Sequence, residues 1–136
     1  MCNDLRQLRD KDLFKAYEKT LKRLGKKATE TKRIDILIMA SNSQAQQFYI
    51  SPYWAMHTVP AILRGEDPNI KSPYRKELVI EIARRYKKLK QEKPDIPMME
   101  AMEKIINTPA PQFYLSPKSV KIIFHNILKK KRNNTL

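Results

Sequence analysis

The sequence predicts an all-α protein of two pseudo-repeated three-helix units, and three observations carry that expectation. First, Gln47-Phe48-Tyr49-Ile50-Ser51-Pro52 returns as Gln112-Phe113-Tyr114-Leu115-Ser116-Pro117, 65 positions on (47 to 112). The echo extends without a gap: Asn42 falls on Asn107, Ala45 on Ala110, and Ile62-Leu63-Arg64 on Ile127-Leu128-Lys129. A fixed offset of this kind marks a duplicated supersecondary unit. Second, apolar residues recur at helical spacing ahead of each copy. Third, Ser-Pro pairs at 51, 72 and 116 supply helix starts, since serine accepts from first-turn amides and proline has no amide to satisfy.

These signals divide the chain into a first unit at 1–66, a linker at 67–72, a second unit at 73–132 and a loose tail at 133–136. The two units are expected to pack as one compact domain, because lobes of about 60 residues are marginal alone.

In chain order, Leu13, Phe14, Tyr17, Leu21 and Leu24 form the apolar face of a first helix over 11–24, closed by Gly25. Residues 1–10 are a frayed lead-in or an extension of it. Lys26-Lys27-Ala28 is a basic connector, and Thr29 is placed to cap the next helix. Ile34 and the run Ile36 to Ala40 surround the cylinder, which predicts a central helix buried on all sides. Residues 44–50 read as extended. In an extended segment neighbouring side chains point oppositely, so one aromatic of each Phe-Tyr pair fills the core and the other covers an edge. The two segments could pair as a minimal two-stranded ribbon. Tyr53 to Leu63 follow as a third helix, with Pro60 expected to kink or interrupt it.

The second unit repeats the order. Leu78, Val79, Ile82, Tyr86 and Leu89 face inward on a helix reaching Glu92. Met98, Met99, Met102, Ile105 and Ile106 form the next, stopped by Thr108-Pro109-Ala110-Pro111. Val120, Ile123, Phe124, Ile127 and Leu128 line the last.

A trihelical unit whose third helix starts at Ser-Pro resembles a helix-turn-helix arrangement, over roughly 11–65 and 76–131. The likeness is architectural, and it implies a third helix that enters the major groove of duplex DNA. The chain departs from that pattern in one respect. Its connection runs from Asn42 to Ser51, whereas a helix-turn-helix turn takes about three or four residues.

Charge points the same way. The chain of 136 residues carries a formal net charge of +14. Such an excess repels itself in a compact state and suits a polyanionic partner. After Glu103 there is no acid, while Lys104, Lys118, Lys121, Lys129, Lys130, Lys131 and Arg132 accumulate. With Arg84, Arg85, Lys87 and Lys88, these side chains could follow a phosphate backbone, and binding would weaken steeply with salt. Asn126 is the candidate base reader, because its amide can pair with adenine. The expected partner is nucleic acid, duplex DNA before RNA, and a homodimer is compatible with the sequence. The first unit's third helix has no basic residue before Arg64 and holds Pro60, so it reads as a copy kept for packing or for a protein partner.

Other chemistry finds little support. Two glycines cannot make a phosphate-cradling loop. His57 and His125 have no Cys or carboxylate cluster near them in sequence, so no metal, cofactor or catalytic group is expected. The uncharged run from Ile36 to Leu63 is long enough to span a bilayer, but Ser41, Asn42, Gln44, Gln46, Gln47 and two prolines make it a buried region instead. Cys2 is the only cysteine and no secretory signal is visible, which fits a non-enzymatic protein of the reducing cytoplasm. The rival class is an assembly module whose basic face meets an acidic partner, with Tyr53, Trp54 and Met56 as anchors.

Overall fold

The computed structural model describes residues 2–134. It is all-helical: α1 (Cys2–Leu24), α2 (Arg33–Ser41), α3 (Pro52–Leu63), α4 (Pro73–Glu92), α5 (Met98–Ile106) and α6 (Pro117–Asn134). A short 3-10 segment, Gly25–Glu30, follows α1. Among the described residues there is no strand run, only single bridge residues at Ala45 and Ala110. No described helix is long and apolar enough to cross a membrane.

Local chemistry sets the helix ends. The Ser51 hydroxyl accepts from the Trp54 amide at 3.0 Å, and Ser72 from Arg75 at 3.3 Å. Ser116 accepts from Ser119 at 3.1 Å. Each cap is followed by proline at the first helical position, where the missing amide costs nothing. Ser116→Ala is therefore expected to cost about 1 kcal/mol, read from urea unfolding. A neutral result would mean the hydroxyl adds nothing to the start of α6.

Of the two forms expected for residues 1–10, the structure shows the extension of the first helix, since α1 reaches back to Cys2. Other expectations are corrected. Thr29 caps nothing: it lies in the 3-10 segment, where its hydroxyl donates to the Lys26 carbonyl at 2.8 Å, and α2 starts after Lys32 without a side-chain cap. Pro60 does not interrupt α3, which continues to Leu63. The expected loose tail is partly ordered, with α6 reaching Asn134; Thr135 and Leu136 lie outside the described residues.

The chain divides into two compact units, and their make-up differs from the contiguous division at 66–73. One unit comprises 1–45 with 111–136; the other is 46–110. The third helix of each half of the sequence thus leaves its own helix pair. In the first unit α6 packs on α1 and α2, and in the second α3 packs on α4 and α5. The physical reason is the long connections after α2 and α5. Residues 42–51 and 107–116 hold no helix and are much longer than the turn of about three or four residues that folds a third helix back on its own pair.

In the first unit, Leu13, Ile36, Leu37, Ala40, Val120, Ile123 and Phe124 are buried. The Phe124 ring stacks on Phe14 with centroids 6.0 Å apart and tilts against Tyr17 at 4.6 Å. Helix α2 is not buried all round, since Met39 is exposed. The inward face of α1 also includes Asp12 and Thr20, whose hydroxyl donates to the Ala16 carbonyl at 2.8 Å. In the second unit the core is Phe48, Ile50, Ala55, Val59, Leu78, Val79, Ile82, Met102 and Ile105.

The extended blocks end in matching backbone bonds. Phe48 N–H donates to the Ile106 carbonyl at 3.0 Å in the second unit, and Phe113 N–H to the Ser41 carbonyl at 2.9 Å in the first. Phe48 is buried and Tyr49 only half-buried, as alternation requires. In the other block Phe113 and Tyr114 are both buried. Tyr114 has a φ of 56°, and this left-handed residue breaks the alternation so that both rings turn inward.

Candidate nucleic-acid interface

The basic residues singled out in the sequence fall on two helices that belong to different units. Lys118, Lys121, Asn126, Lys129, Lys130, Lys131 and Arg132 lie on α6 in the first; Arg84, Arg85, Lys87 and Lys88 lie on α4 in the second. Each set forms its own surface.

Helix α6 buries Val120, Ile123 and Phe124, with Ile127 and Leu128 half-buried beside them. That inner stripe fixes what points out. Lys118, Lys121, His125, Lys129 and Arg132 are exposed and follow one another at steps of three or four residues, so they share one side. At 1.5 Å per residue the row from Lys118 to Arg132 is about 21 Å long. Ile122, 52% exposed, sits in the same row. Lys131 and Arg132 in the last turn also complement the negative end of the helix dipole.

Two members of the set are placed otherwise. The Lys131 ammonium lies 3.8 Å from the centre of the Phe14 ring, a cation–π contact that ties α6 to α1. Asn126, though exposed, lines a cleft of about 220 Å³ with Gln7, Asp10, Ile127, Lys130 and Lys131. It therefore stands beside an acid, toward α1, rather than in the middle of the cationic row. Asp10 is itself paired with Arg9 at 3.0 Å.

On α4 a single carboxylate organises two guanidiniums. Arg84 donates to both oxygens of Glu81, at 2.9 and 2.6 Å, and Arg85 Nε donates to Glu81 Oε2 at 2.8 Å. Arg85 Nη1 also reaches Thr108 Oγ1 and the Pro109 carbonyl, both at 2.9 Å, and its guanidinium lies 4.9 Å from the centre of the Phe48 ring. Arg85 thus fastens α4 to the end of α5 and to the block that holds Phe48, with its Nε and Nη1 donors engaged inside the unit. Lys87 and Lys88 are exposed. Arg84, Arg85 and Lys88 border a cleft of about 410 Å³ together with Lys104, Thr108 and Glu92.

Hydrogen bonds from Arg84 and then Arg85 hold the Glu81 carboxyl below its ordinary range, against the opposing effect of partial burial. A depressed carboxylate stabilises the fold above its unfolded-state value, and that contribution is lost as pH falls through the folded value. Glu81→Gln is expected to lower stability at neutral pH, with the difference from wild type shrinking as pH falls below the ordinary carboxylate range. Urea unfolding across that range checks it; a difference that grows on acidification would contradict the assigned cause.

The sequence reading missed three features of these surfaces. The outward placing of Ile122 and His125 was recoverable, since the inward stripe of α6 leaves them no other side. The anchoring role of Arg85 was not, because its partners Thr108 and Pro109 lie more than twenty positions away. Among the described residues no group of three or more His, Cys, Asp or Glu side chains could hold a metal ion. Compared with known protein families, curated proteins and solved structures, the chain finds no match in any of the three.

Proposed function

We propose that this is a non-enzymatic, basic nucleic-acid-binding protein that engages duplex DNA before RNA, built from two pseudo-repeated three-helix units of helix-turn-helix-like character. The observation that carries the reading is the row on α6. Lys118, Lys121, Lys129 and Arg132 share one exposed side of an 18-residue helix, in a stretch of sequence without an acid after Glu103. A surface that served only solubility would mix signs. A helix of this length fits the major groove, and lysines at such spacing can meet successive phosphates. Lys87, Lys88 and Lys104 add cations on the other unit, while Arg85 acts as an internal fastener and leaves the contact set. A cytoplasmic location belongs to the same proposal and rests on the single cysteine, Cys2.

The test is a binding titration with duplex DNA, single-stranded DNA and RNA at two salt concentrations. The expected result is binding at low salt that weakens steeply as salt rises, tightest for duplex DNA. Absence of binding to all three at low salt would overturn the reading.

A second reading has one observation in its favour. Helix α3 carries no charge from Pro52 to Leu63, and its outer side shows Tyr53, 64% exposed, with Trp54 and Met56 half-buried. That side suits a protein contact, a homodimer included, and an acidic partner would then meet the basic faces. Specific binding to a protein partner, with no affinity for nucleic acid at low salt, would favour it.

A further inference from the structure

We infer that the chain is a tandem fusion of two copies of a helix-exchanging subunit, so that the seat on each helix pair is an interface made for the third helix of a second copy. The inference rests on the duplication proposed above and is independent of nucleic-acid binding.

Two kinds of observation converge on it. In sequence, the second half matches the first at an offset of 65 positions, most clearly through the Gln-Phe-Tyr and Ser-Pro residues before the third helix (47 to 112, 51 to 116). In the fold, the third helix of each half packs in the unit that holds the helix pair of the other: α6 with α1 and α2, α3 with α4 and α5. The backbone bonds report the same exchange at atomic scale. Phe48 of the first half donates to Ile106 at the end of α5, and Phe113 of the second half donates to Ser41 at the end of α2. Donors and acceptors alike are one repeat apart (48 to 113, 41 to 106). Reciprocal bonds between equivalent positions are what a twofold-related pair of identical chains makes, with residue i of one meeting j of the other and the reverse.

Burial explains why the exchange is obligatory rather than incidental. In the first unit Leu13, Ile36 and Leu37 are almost fully buried, Val120 on α6 is wholly so, and the Phe124 ring of α6 covers Phe14 and Tyr17 of α1. Neither helix pair has a third helix from its own half. A single half would expose that surface and would have to find it covered by another copy. The link from α3 to α4, residues 64–72, then serves as the tether that joins two former subunits. It raises their local concentration and makes the pairing intramolecular.

The experiment keeps the full chain and places a protease site in residues 66–69. After cleavage, the two halves are expected to elute together at the size of the intact protein, because each unit contains helices from both. Hydrogen exchange is then followed in the intact chain carrying Phe124→Ala, or the milder Phe124→Leu if alanine prevents folding. The substitution lies in the second half, yet the loss of amide protection, roughly tenfold or more, is expected in α1 and α2 of the first half, with α4 and α5 unchanged. Halves that separate as two folded species, or protection lost in α4 and α5 instead, would overturn the exchange. A chain of two second halves joined in tandem tests the duplication separately. It is expected to fold as a monomer; its failure, with protection lost across halves as described, would overturn the equivalence of the halves and leave the exchange standing.

Discussion

Phe124→Ala is expected to lower folding stability by about 3–5 kcal/mol, the usual cost of removing a buried aromatic side chain. The ring is 4% exposed and is held between Phe14 and Tyr17. Its removal leaves a void among groups that cannot collapse, because α1 and α2 are also fixed by their own contact with each other. Aromatic contacts of this kind add about 0.5–1.5 kcal/mol beyond burial. The neighbouring Lys131 contact on Phe14 loses support as well, so the end of α6 should fray. Thermal unfolding is the simplest measurement. At about 2–4 °C per kcal/mol for a chain near this size, the midpoint should fall by roughly 10 °C. A loss under about 1 kcal/mol would show that α6 is a peripheral attachment and not part of the core.

The second large effect is on binding. Replacing Lys118, Lys121 and Lys129 by glutamine removes three cations from the α6 row while leaving its buried stripe intact. Each phosphate contact contributes about 0.9 to the slope of log affinity against log salt, so the slope should become shallower by about 3. Affinity at low salt should drop with it, and the circular dichroism spectrum should not change. An unaltered slope would remove α6 from the interface. Charge reversal at Lys130 and Lys131 is a poorer test, since Lys131 is packed over Phe14 and its loss would disturb the fold.

Much of this architecture was legible in the residues alone. The Ser-Pro pairs identify three helix starts within a residue, because hydroxyl capping and a missing amide are local chemistry. The inward stripes of α4, α5 and α6 follow from spacing, since a helix packed on one side buries every third or fourth residue. What could not be read was which helix packs on which. Periodicity says that Val120 and Phe124 need cover, but not whose surface supplies it. The stretch 42–51 could have been a return or a departure, and side-chain pattern is the same for both. The inward face of α1 was incomplete for a related reason. Asp12 and Thr20 are polar and stand outside the apolar series of α1, yet the fold buries both, with Thr20 bonded to its own helix backbone. For the interface, the cations on α6 were evident from composition, but the division between binding and fastening was not. Arg84 and Arg85 look alike in sequence, and only the approach of Thr108, Pro109 and Phe48 turns Arg85 inward.

The discontinuity of the first unit has a consequence for synthesis. Residues 46–110 are contiguous, so that unit can fold as soon as α5 leaves the ribosome. The pair α1 and α2 emerges earliest and yet must wait for the last segment, residues 117–134, before Phe124 covers Phe14 and Tyr17 and the unit is complete. During that interval the nascent chain presents an apolar face beside a strongly cationic one. Slowing translation after residue 110 should therefore prolong chaperone association, and a protein truncated before α6 should retain a folded 46–110 unit while its N-terminal helices aggregate.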